Sequence, residues 1–120
     1  MPNADPAVMA EDEAHRHEVP AGVAATIPLY VPATLNIGVP VLEVDGAHDA
    51  AFCAQGGGGS LTDCQSGATL HASEAPFFSP AAHLQTTVIP DAGHDLDLQR
   101  NASVFFARAL RWFHAFFPHP

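Results

Sequence analysis

Lysine is absent from this 120-residue chain, and its four arginines stand against 13 acidic residues, for a formal charge of −9 with histidine neutral. Nucleic acid is therefore excluded as a partner, because a phosphate backbone demands clustered positive charge. Arg100, Arg108 and Arg111 fall on one C-terminal stretch and read as a wet helix face suited to the negative end of the helix dipole. The lack of lysine also argues against phosphate-loop chemistry. Gly56 to Gly59 are consecutive, but a phosphate cradle needs a strand before it and a helix with Lys and Ser or Thr after it. The run is expected to be a flexible loop. Ser60 behind it shows no pattern of an activated nucleophile.

No apolar run reaches the length of a membrane span, and the acidic stretch Met1 to Pro20 lacks the positive start and apolar core of a signal peptide. A cytoplasmic protein with no membrane partner is expected. The only cysteines, Cys53 and Cys64, flank the glycine run. A bridge between them would staple the loop after Asp49, and spacing alone leaves the pair bridged or free. Eight histidines invite a metal reading, with His48, Cys53, Cys64, His71, His83 and His94 as conceivable ligands. No Cys-x-x-Cys occurs, nor two histidines a helical turn apart around a glutamate, so no metal and no cofactor are expected. His15 and His17 would face differently on a helix, and His114 and His119 read as solvated.

The organising stretch runs from Leu84 to Phe117. Thr86 to Ile89 favour a strand, which Pro90 stops because it cannot donate to a ladder. Gly93 permits a tight turn, and His94 follows just past the strand's carboxyl end, where open α/β sheets place ligand sites. Upstream, Val41 to Val44 read as a second strand, Gly46 marks its end, and Asp49 falls on the loop beyond. A helix over Asp63 to Ala75, closed by Pro76 and Pro80, supplies the crossover that parallel strands require. If the strands are parallel neighbours, their carboxyl ends share an edge and Asp49 faces His94.

Asn101 is a good N-cap for a last helix, whose apolar residues run in one stripe from Ala102 through Phe105, Phe106 and Ala109 to Leu110, Phe113, Phe116 and Phe117. Trp112 lies off the centre of that stripe. At the other end, Asp5 before Pro6 signals a helix over Ala7 to His17. Val19 to Gly38 is too rich in proline for a long regular element, and Ile27, Leu29, Tyr30 and Val31 are its candidates for docking on the sheet. Phe77 and Phe78 are expected to anchor the loop after the crossover helix.

Pro-Val-Leu-x-Val-x-Gly-x-x-Asp over Pro40 to Asp49, followed by Gly-His-Asp-Leu over Gly93 to Leu96 and Arg-Asn-Ala before a helix, resembles the C-terminal third of an α/β-hydrolase-fold serine hydrolase. The resemblance covers Asn36 to Phe117. It implies an α/β class and a partial α/β-hydrolase fold, with two C-terminal parallel strands, a crossover helix and a C-terminal helix. Residues 1–38 would be a lid-like helical segment and connector, and residues 39–117 the C-terminal part of the core. Asp49 matches the family's acid and His94 its histidine, in the order serine, acid, histidine. Asp45 and Asp95 are nearby carboxylates, but the spacing after Gly46 selects Asp49.

The resemblance further implies a carboxylic ester or related acyl substrate. No Gly-x-Ser-x-Gly is present, and the chain is too short for a complete hydrolase sheet. It is therefore expected to be a truncated product, a cut piece or a relic, inactive alone, with a missing N-terminal segment or a second copy as its partner. The alternative is a non-catalytic binding or oligomerisation module derived from that fold.

Overall fold

The computed structural model describes residues 3–26, 31–54 and 61–118. Its centre is a two-stranded parallel sheet of β1 (Leu42–Gly46) and β2 (Gln85–Ile89), in register from Leu42 opposite Gln85 to Gly46 opposite Ile89. The protein is thus a small mixed α/β structure. The crossover contains α4 (Gly67–Glu74) and two single 3₁₀ turns, Ala75–Phe77 and Pro80–Ala82. Helix α4 starts later than the expected Asp63. The Ser66 side chain accepts from Thr69 N–H while Thr69 Oγ1 accepts from Ser66 N–H, and this reciprocal cap fixes the first turn. Asp63 instead closes a turn ahead of the helix, accepting from Gln65 N–H at 2.9 Å.

The alternation of strand side chains gives the sheet two unlike faces. Thr86 Oγ1 donates to Gly67 O at 2.6 Å, which turns Thr86 and Val88 toward α4. There, Cys53, Cys64 and Leu70 form a fully buried cluster with Val88 against it. Glu43 and Asp45 both feel the charge of Glu74 at the end of α4, so two carboxylates share this face with a small apolar core. Thr87 faces the other way and accepts a hydrogen bond from Arg108 of α5 (Ala102–Phe116).

Helix α5 does not present the single stripe expected of it. Ala102, Phe105, Ala109, Trp112 and Phe116 are half-buried, whereas Phe106, Leu110, Phe113 and Phe117 are 53, 58, 48 and 44 % exposed. Trp112 belongs to the covered row. Strands lie only ~4.8 Å apart, so two of them cover about one row of a helix and leave the next row bare. Asn101 sits at the N-cap position but does not cap; its amide donates to Pro90 O at 2.8 Å and ties the helix start to the end of β2.

At the N-terminal end, Asp5 caps α1 (Pro6–His15) by accepting from Ala7 N–H at 2.8 Å, and the helix stops two residues before the expected His17. None of its residues is buried. The segment before it is held by an antiparallel bridge of Ala4 with Gln99 and by Arg100 N–H donating to Asn3 O at 3.0 Å. The proline-rich connector carries two short helices, α2 (Ala21–Thr26) and α3 (Val31–Thr34). It is fastened where Thr34 donates to Phe77 O, and Ser79 to Ile37 O. Ile27, Leu29, Tyr30, Gly56 to Gly59, Ser60 and His119 lie outside the described residues, as does the Val31 side chain. Phe78 is half-buried, and Phe77 is 38 % exposed. Among the described residues no helix is long and apolar enough to cross a membrane.

Candidate active site

The geometry of the site begins with a glycine. A Cβ on Gly46 would lie 2.4 Å from Gly93 O and 2.5 Å from Ala92 O, so only glycine lets the end of β1 approach the loop after β2 this closely. The two loops are then joined by main chain: Ala47 N–H donates to Ile89 O at 3.0 Å and His48 N–H to Ala92 O at 2.8 Å. Asp91 and Asp95 take left-handed backbone angles, with φ of 55° and 57°, which aspartate tolerates better than most residues. Sharp turns on either side of Ala92 to His94 thereby aim the histidine back across the edge of the sheet.

Asp49 is 3 % exposed and has both carboxylate oxygens engaged. Its Oδ1 accepts from Ala51 N–H at 2.7 Å and Phe52 N–H at 2.9 Å, and its Oδ2 accepts from His94 Nδ1–H at 2.9 Å. Burial alone would raise the Asp49 pKa, but the His94 hydrogen bond and the two backbone donors outweigh it and hold the carboxyl below its ordinary value. The same hydrogen bond raises the pKa of His94. Burial opposes that rise, and the charges of Asp49, Asp95 and Asp45 reinforce it. With Nδ1 committed to Asp49, Nε2 is the nitrogen left for proton transfer, and Asp95 Oδ1 lies 3.5 Å from it. Phe52 leans on the imidazole at 5.0 Å between ring centres, and buried Gln99 donates to His94 O at 2.9 Å and Asp95 O at 3.3 Å. Such an ordered aspartate–imidazole pair can accept a proton and hold the resulting imidazolium.

A concavity of about 320 Å³ lies against the pair, bordered by Asp45, Asp49, Phe52, His94, Asp97 and Phe105. Burial, then the charges of Asp49 and Glu74, push Asp45 up to about 6 against the opposing pull of His94. Partial burial, then the charges of Glu74 and Asp45, push Glu43 up to about 8. Asp45, Asp49 and Cys53 bring one ligand atom each within 4.8 Å of one another. Cys53 is bonded to Cys64, with Cα atoms 5.6 Å apart, so it has no thiolate to offer and two carboxylates remain. Of the other histidines considered as ligands, His48 is exposed 3.9 Å from Asp91, while His71 and His83 flank the connection from α4 to β2.

Asp49 and His94 are brought together as their loops' positions suggested. Gln99, Phe52 and the contact role of Gly46 were not foreseen. Gln99 had no signal in its neighbours, whereas Gly46 before the acid's loop was a visible one. Among the described residues no serine, threonine or cysteine side chain is hydrogen-bonded to His94. No family model matches the chain, and no curated protein matches it.

Proposed function

We propose that the chain supplies the acid and the histidine of an acyl-hydrolase centre of the serine-hydrolase type, on part of an α/β-hydrolase-like core. The observation that carries this is the 2.9 Å hydrogen bond from His94 Nδ1 to buried Asp49, on loops that follow adjacent parallel strands. In that role Nε2 of His94 takes the proton of a hydroxyl nucleophile and returns one to the leaving group. Asp49 fixes the tautomer and stabilises the imidazolium. The nucleophile would come from outside the described residues, and the substrate would be a carboxylic ester or related acyl compound.

Fluorophosphonate labelling tests this. The recombinant 120-residue chain alone is expected to remain unlabelled, and the species captured from its source cells with an antibody to α5 is expected to carry a covalent adduct. His94→Ala introduced in those cells should abolish the adduct. A captured species that never labels would overturn the proposal.

A second reading is favoured by the bare row of Phe106, Leu110, Phe113 and Phe117, which a binding or oligomerisation module would cover. It predicts a defined oligomer with cooperative unfolding, and Leu110→Glu dissociates it. A chain that stays monomeric by light scattering counts against it.

A further inference from the structure

We propose that the groove between α5 and the amino ends of the two strands binds a small organic anion, a carboxylate or phosphate monoester carrying an apolar chain. This groove lies at the opposite end of the sheet from Asp49 and His94, since it is lined by Leu42 and Gln85, the first residues of β1 and β2. It does not depend on the function proposed for that pair. Arg108 and Arg111, one turn apart on α5, line its outer side, with Trp112 beside them. Its volume is about 300 Å³, at the small end of the range of ligand sites.

The charge distribution makes the groove unusual in this molecule. On a chain of net charge −9, Arg16 is spent on Glu13 at 2.8 Å and Arg100 on Asp5 at 4.0 Å. Among the described residues neither Arg108 nor Arg111 meets a carboxylate. The half-buried acids of β1, Glu43 and Asp45, belong to the α4 face of the sheet, so the sheet itself separates them from this pair of guanidinium groups. Arg108 is already oriented by its hydrogen bond to Thr87 Oγ1. Two forked donors together with the apolar surfaces of Leu42 and Trp112 in one groove match an oxyanion head with a short hydrocarbon tail.

Trp112 is the chain's single tryptophan, so its fluorescence reads the groove directly. Hexanoate, hexyl phosphate, inorganic phosphate and the neutral hexanamide are titrated into the full, oxidised chain up to about 10 mM, which covers millimolar affinities. Saturable change with hexanoate or hexyl phosphate, and none with hexanamide, is the expected result; the preferred head group separates carboxylate from phosphate sources. Arg108→Gln and Arg111→Gln, each checked for native circular dichroism, should weaken binding ~10-fold, and so should raised salt. For a variant that fails to fold, the salt dependence of the unaltered chain carries the test. No saturation with either anion, equal response to hexanamide, or unchanged binding in both folded variants overturns the proposal.

Discussion

Replacing Glu43 by glutamine should make the protein more stable in alkali and leave it nearly unchanged in acid. The carboxyl is half-buried on the α4 face with Oε2 shielded and unpartnered, and its pKa rises from 4.5 to about 8. A folded-state pKa above the unfolded one means that the native state holds the proton more tightly, so stability falls as pH climbs between those two values. At 1.36 kcal/mol per pH unit the rise has an upper bound of ~5 kcal/mol, and screening at a partly exposed group reduces the expected effect to roughly 1–2 kcal/mol.

Urea unfolding of both proteins at about pH 5 and about pH 9 measures it, because the pH-dependent difference isolates the group replaced. Asp45 and His94 are present in both proteins, so their own contributions largely cancel in the difference. Glu43→Gln gains stability over the parent only at the higher pH. A difference that is the same at both pH values would show that Glu43 ionises as an ordinary exposed acid, and would refute the burial reasoning.

The Asp49–His94 bond makes a prediction of direction. His94 contributes stability that is full below its unfolded value and lost as pH rises through its raised folded value, and Asp49→Asn should bring the imidazole titration down, read by proton NMR. An unmoved titration would mean that the two side chains do not meet in solution. Gly46→Ala forces a Cβ against two carbonyl oxygens and should cost about 1–3 kcal/mol in urea unfolding, together with loss of the His94 shift. Removing the Cys53–Cys64 bridge as a double serine variant frees a loop of sequence separation 11 and should cost about 3 kcal/mol, measured against the oxidised parent. An unchanged midpoint would mean that the bridge does not close that loop in solution.

Local chemistry alone determined a good deal here. The strand before Pro90, the end of β1 at Gly46, and the Asp5 cap follow from the local preferences of single residues, which the surrounding structure left in place. The candidacy of Asp49 and His94 was legible for a related reason: both follow strands, and parallel pairing aligns strand ends. The tertiary structure decided what depends on surroundings. Asn101 left its cap for the Pro90 carbonyl, Ser66 took over the start of α4, and the width of a two-stranded sheet split the α5 stripe into a covered and a bare row. The bridging of Cys53 to Cys64 and the raised pKa values of Glu43 and Asp45 are likewise properties of distance and burial. A sequence names the groups, but the desolvation and the neighbouring charge that tune them exist only once the sheet has brought them together.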